Sequence, residues 1–186
     1  MSLSDAELLG RGTDPIAPAS PGAPYDLVFL DRDGTLNEHR PGYVDRPGDL
    51  ILLPHAVAAV RAFNDAGARV VLVTNQRGIA TGVLHEADLL AVQRELVRQL
   101  AAGGAHLDAV QLCPHEQATC ACRKPAPGLL LTALNRAPWA DPARCVLFGD
   151  QDSDLRAARA AGVRGVRVGP AGLAVPSVRG RGSRAL

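Results

Sequence analysis

Residues 27–37 read LVFLDRDGTLN: four apolar residues run directly into two aspartates one position apart, followed by Gly34 and Thr35. Ending a buried strand by crowding Asp31 and Asp33 together is costly. Neighbouring like charges oppose each other unless a cation neutralises them or one carboxyl keeps its proton. The stretch therefore predicts a strand whose carboxyl end carries chemistry.

Outward from it, apolar runs of strand length recur at residues 69–73, 109–113, 145–148 and 165–168. Helical patterns lie between them. One opens near Pro54 and stops at Gly67, a proline-start and glycine-stop pattern. A second spans residues 86–102 with Leu89, Gln93, Leu96 and Leu100 on one stripe; a third follows Pro127, and a fourth covers 152–161 before Gly162. Repeated β-α-β units with apolar strands predict an α/β fold: a doubly wound, mostly parallel sheet with helices on both faces. No insertion is long enough for a large cap domain. Such sheets bind ligands beyond the carboxyl ends of their strands.

Length and composition set the frame. A chain of 186 residues, 47% hydrophobic and 21% charged, suits one globular domain, placed at residues 25–169. Residues 1–24, rich in Pro, Ala and Gly, read as a mobile tail, and residues 170–186, with Arg179, Arg181 and Arg184, as a loose one. A net charge of +1 gives no basis for a nucleic-acid or membrane partner. No run is long and apolar enough to span a bilayer. Asp5 and Glu7 argue against a signal peptide, so the expectation is a cytoplasmic monomer.

The chemistry-bearing residues fall where the rule for parallel sheets puts a site. Asp31 and Asp33 follow the first strand, Thr74 and Asn75 the second, Arg123 and Lys124 the connection after the third, and Asp150 and Asp154 the fourth. Several carboxylates on one rim make an oxygen site for a hard cation, Mg²⁺. Asp31 is then the candidate nucleophile, forming an aspartyl-phosphate, and Asp33 the acid/base. Thr74 and Lys124 would hold the phosphoryl oxygens. Lys124 is the chain's single lysine among 20 basic residues, which asks what a compact ammonium does there that arginine cannot.

Cys113, His115, Cys120 and Cys122, within the stretch CPHEQATCACRKP, supply four ligands at spacing suited to tetrahedral Zn²⁺. The reading is a closed structural site that orders residues 113–124 and so places Arg123 and Lys124. Cys145 stands apart in an apolar run and reads as core.

These motifs resemble the haloacid dehalogenase superfamily of phosphatases over residues 25–169: DRDGT matches its first motif, Thr74 the second, Lys124 the third, and Asp150 with Asp154 the acidic fourth. The resemblance implies Mg²⁺ held by Asp31, the Asp33 carbonyl and Asp150, with Asp154 in support. The cysteine-rich loop resembles the zinc-containing, capless branch, whose members hydrolyse heptose bisphosphates or histidinol phosphate. Rim residues His39, Arg40, Gly42, Tyr43, Asn75, Gln76, Arg77 and Arg123 are the expected substrate contacts, with Arg123 suited to clamp a second phosphate. The GYV and TNQRGIATG segments favour a heptose 7-phosphate as substrate. The short His115–Cys120 spacer, and Gln151 where such enzymes often carry lysine, favour histidinol phosphate. A phospho-accepting receiver module is the alternative outside enzymes; against it, Cys113 and not an aspartate ends the third strand.

Overall fold

In the computed structural model, which describes residues 3–170, 172 and 173, five parallel strands form one sheet. They are β1 (Leu27–Leu30), β2 (Arg69–Asn75), β3 (Ala109–Cys113), β4 (Val146–Gly149) and β5 (Arg164–Arg167), in spatial order β3-β2-β1-β4-β5. Five α-helices accompany them: α1 (Asp5–Leu8), α2 (Ala56–Asp65), α3 (Glu86–Ala102), α4 (Gly128–Arg136) and α5 (Asp152–Ala160).

Strand alternation divides the core into two layers. Val28, Leu30, Val70 and Leu72 face Phe63 of α2 and Leu89, Leu96 and Leu100 of α3. Leu27, Phe29, Val71 and Val73 face Leu129, Leu130 and Ala133 of α4 and Ala157 and Ala158 of α5. Both faces being covered explains why the strands read as unbroken apolar runs and not as alternating ones. Along α3 the expected stripe is buried, Gln93 included, and Glu86 and Asp88 in its first turn complement the helix dipole.

The order of the strands reverses beside β1. The chain leaves β1 for β2 and β3 on one side, then crosses to β4 and β5 on the other. Strand ends diverge at that switch, so the crevice beyond β1 and β4 is where this topology makes room for a ligand. Among the described residues no separate domain interrupts the chain, in keeping with the absence of a cap.

One expectation is overturned. The N-terminal segment does not hang free but straps the domain. The Glu7 carboxylate accepts from both terminal nitrogens of Arg136 at 2.9 Å and from the Val110 backbone at 2.9 Å. Arg69 donates to the Pro18 carbonyl, Trp139 donates to Ile16, and Leu8, Ile16 and Ala23 are buried. Composition pointed the wrong way because a proline-rich segment needs no internal hydrogen bonds and can bond to its own domain. Val110 lies on the edge strand β3, so the strap also covers an otherwise open sheet edge. Arg179, Arg181 and Arg184 lie outside the described residues.

Candidate active site

The turn after β1 is built for close approach. The Asp31 amide continues the ladder to the Phe148 carbonyl at 3.0 Å, and the amides of Leu36 and Asn37 both fold back onto the Arg32 carbonyl. Gly34 has φ of +83°, and a Cβ there would lie 2.4 Å from Asp150 Oδ2. Only glycine lets this turn bring the β1 and β4 carboxylates together.

Lys124 reaches into the same place, fully buried. Its Nζ lies 2.7 Å from Asp31 Oδ1, 2.6 Å from Asp154 Oδ1 and 2.8 Å from the Val73 carbonyl. Nζ donates to Asp31 and to the Val73 carbonyl and pairs in charge with Asp154, which answers why lysine is kept here: a planar guanidinium cannot gather three such contacts around a single nitrogen. Burial disfavours the ammonium, yet the two carboxylates outweigh it and raise its pKa. Burial likewise pushes the Asp31 carboxyl up to about 6, against the pull of Lys124 and with a further push from Asp154 and Asp33.

Asp33 has the opposite fate. Burial would raise its pKa, but Arg32, Asn37 and Gln76 together hold the carboxyl below the usual range. Arg32 Nη2 and Asn37 Nδ2 each donate to Oδ1 at 3.0 Å, while Gln76 Nε2 donates to Oδ2 at 3.0 Å and to Thr74 Oγ1 at 2.9 Å. Arg32 and Asn37 escaped the sequence reading. An arginine between two aspartates at the end of a buried strand was the available signal, since a buried charge is almost always paired.

A cavity of about 260 Å³ opens above these groups. Asp31, Asp33, Thr74 and Lys124 line it, with His39, Arg40, Gly42, Tyr43, Asn75, Gln76 and Arg123 around the rim. Arg123 Nη1 is buried with no hydrogen-bond partner. Arg77 does not line the cavity. It turns away to Glu116, 3.5 Å distant and exposed, because the loop that carries it folds over the cysteine-rich segment. Ser153, which the sequence reading passed over, joins the lining from the first turn of α5.

Two donor sets fit metals. One carboxylate oxygen each of Asp31, Asp150 and Asp154 falls within 4.8 Å of the others, and Asp150 Oδ1 is buried without a partner, as expected of an oxygen meant for a hard cation. Asp154 is otherwise engaged: Oδ1 holds Lys124 and Oδ2 accepts the Gln151 amide at 3.0 Å, which caps α5. Gln151 supplies no charge, but its amide donates to Asp150 Oδ2, and Arg167 from β5 reaches the Asp150 carbonyl and Asp152. In the second set, touching pairs among Cys113, His115, Cys120 and Cys122 lie 3.2–3.6 Å apart. Those separations approach the edge of about 3.7 Å that a tetrahedron with metal–sulfur bonds of roughly 2.3 Å requires. None of the cysteines is in a disulfide, and Cys145 is buried in the core.

Comparison with known proteins agrees with this geometry. Residues 121–170 match the family model described as HAD-hydrolase-like. A Rhodopseudomonas palustris D-glycero-beta-D-manno-heptose-1,7-bisphosphate 7-phosphatase is 38% identical over 159 residues, covering 81% of this chain and 84% of that one. A Mycobacterium tuberculosis D-glycero-alpha-D-manno-heptose-1,7-bisphosphate 7-phosphatase is 39% identical over 133 residues, 70% of each chain. The chain belongs to the heptose-bisphosphate phosphatase family of HAD-like hydrolases.

The fold agrees as well. The crystal structure of the B. bronchiseptica D,D-heptose 1,7-bisphosphate phosphatase, complexed with magnesium and phosphate, superposes with a TM-score of 0.73 at 38% identity. It covers 78% of this chain and 82% of that one. As a HAD-type phosphatase the chain acts on a small phosphorylated molecule, and the receiver-module alternative gives way. Among the described residues no helix is long and apolar enough to cross a membrane.

Proposed function

We propose that this phosphatase removes the 7-phosphate of D-glycero-D-manno-heptose 1,7-bisphosphate, with Asp31 as nucleophile. The observation that carries the reading is the buried Asp31–Lys124–Asp154 array beside Asp33, within a cavity that Arg123 also lines. One end of the cavity suits the transferred phosphoryl group, and Arg123 suits a second phosphate.

Asp31, with a pKa of about 6, is mostly ionised near neutral pH and can attack phosphorus. As the P–O bond to the sugar breaks, the leaving oxygen takes a proton from Asp33. Water then attacks the aspartyl-phosphate while Asp33 recovers a proton from it, releasing phosphate and regenerating Asp31. In the free protein Asp33 stands in its base form under Arg32, Asn37 and Gln76; an incoming phosphoryl dianion opposes Arg32 and favours the acid form. Lys124 holds Asp31 in place, and Thr74 offers its hydroxyl to the phosphoryl oxygens.

Asp31, Asp150 and the Asp33 carbonyl would hold Mg²⁺, which when bound neutralises the carboxylates and the developing phosphoryl charge. Cys113, His115, Cys120 and Cys122 would hold Zn²⁺ as a structural ion. Unpaired cysteines in such a cluster suit a reducing cytoplasm, and we propose a monomer there.

The test is phosphate release with Mg²⁺ from both anomers of heptose 1,7-bisphosphate, beside histidinol phosphate at equal concentration. The expected result is a preference of at least about a hundredfold in kcat/KM for one bisphosphate anomer, about 2.7 kcal/mol in transition-state binding. Faster release from histidinol phosphate would overturn the assignment.

A further inference from the structure

We propose that Asn75 is a positioning residue that fixes the main chain of Lys124, and not a substrate contact as its place on the rim suggests. The inference rests on the phosphatase reading for its kinetic consequence only. Lys124 lies between β3 and α4, in a stretch with neither helix nor strand. Its backbone therefore lacks the partners that regular structure supplies, and buried peptide groups need them.

A single side chain provides both. The Lys124 amide donates to Asn75 Oδ1 at 3.1 Å, and Asn75 Nδ2 donates to the Lys124 carbonyl at 3.1 Å. Among the described residues, no other group bonds the Lys124 main chain. Asn75 is the last residue of β2, in register with Cys113 of β3, so it is anchored on a rigid element. The Lys124 ammonium returns to that strand at the Val73 carbonyl. The lysine is thus pinned to β2 at both ends, backbone and Nζ.

An amide suits this task because it carries a donor and an acceptor side by side. Aspartate has no donor for the carbonyl, and alanine has neither group. Without Asn75 the loop can shift, and the ammonium shifts with it. A displacement of about 1 Å at a reacting centre costs as much as roughly a hundredfold in rate.

The experiment is a double-mutant cycle on the full chain with Mg²⁺ and heptose bisphosphate. Asn75→Ala should lower kcat by roughly ten- to a hundredfold while KM moves less than about threefold. In the Lys124→Ala background the same change should have less than about a twofold effect, since the ammonium that the fixed main chain positions is gone. Asn75→Asp, which keeps the acceptor and the volume, covers the case in which Asn75→Ala folds poorly and should fall between the two. Amide hydrogen exchange at Lys124 should accelerate in Asn75→Ala, which removes the acceptor, and less in Asn75→Asp, which keeps it, a readout that holds whatever the substrate. A raised KM at constant kcat, losses that multiply in the double variant, or unchanged exchange at Lys124 would each overturn the proposal. If the wild-type chain released no phosphate, the function reading would fall, and the exchange data alone would decide the positioning role.

Discussion

Replacing Lys124 by methionine removes the one positive charge between two buried carboxylates and should cost about 3–5 kcal/mol of folding stability near neutral pH. The estimate follows from the contacts. Nζ sits 2.7 Å from Asp31 Oδ1 and 2.6 Å from Asp154 Oδ1, with none of the three side chains more than 10% exposed. Water cannot screen such a pair, so removing one partner strands the other. A domain of this kind has a total stability of about 5–15 kcal/mol, so the variant should fold, though weakly.

The loss has a definite pH sign. The folded pKa of Asp31, about 6, already exceeds the ordinary value of 3.8, and Lys124 keeps it from rising further. Taking the lysine away raises it further, because burial and Asp154 remain. A group whose pKa is raised on folding contributes its stability fully below the unfolded value and loses it as pH climbs through the folded value. Urea unfolding of Lys124→Met should therefore recover much of the deficit at pH 5 and show the largest deficit at pH 8. In the wild type, stripped of metal, the Asp31 contribution is instead lost as pH rises from about 4 to 6. Lys124→Arg is the sharper variant for activity. It keeps the charge but not the three-way geometry, so kcat/KM for phosphate release should fall at least about a hundredfold. Wild-type kinetics for Lys124→Arg, or a stability deficit in Lys124→Met that is flat from pH 5 to 8, would refute this reasoning.

Gly34→Ala puts a Cβ 2.4 Å from Asp150 Oδ2 at a φ of +83°, and should destabilise by more than about 1 kcal/mol while raising the Mg²⁺ concentration needed for half-maximal activity. A normal magnesium titration would count against the close-approach argument. Glu7→Gln leaves Arg136 buried without a charged partner and should cost about 3–5 kcal/mol in urea melts, the two side chains being 9% exposed each. A cost under about 0.5 kcal/mol, the usual value for surface changes, would mean that the strap contributes nothing. Stripping zinc with a strong chelator should speed hydrogen exchange over residues 113–124 and slow phosphate release through Lys124. Exchange that stays unchanged would show that the loop orders itself without the ion.

What could be read from the chain depended on whether a residue's role is set locally or by a distant partner. The strands and α3 were legible because a parallel sheet demands continuous apolar runs and a helix a stripe. Even so, β4 begins one residue later than its apolar run, since the Cys145 amide is taken by the Pro142 carbonyl of a preceding turn and cannot join the ladder. That Asp31, Asp33 and Thr74 gather with Lys124 around one cavity was legible because strand ends of a parallel sheet and the loops after them share one rim.

Their supports were not. Arg32, Asn37 and Gln76 matter through one carboxylate, Asp33, and the sequence holds no sign of which way that carboxylate faces. Arg77 and Arg123 are alike as letters; one meets Glu116 in solvent and the other lines the cavity. The same reason hid the strap, whose hold on the domain depends on Glu7 finding Arg136 129 positions away. Composition averages over a segment, whereas one buried ion pair decides whether that segment stays down. A charged residue among apolar ones, as Glu7 is beside Leu8, is therefore the feature to weigh first in a segment of otherwise loose composition.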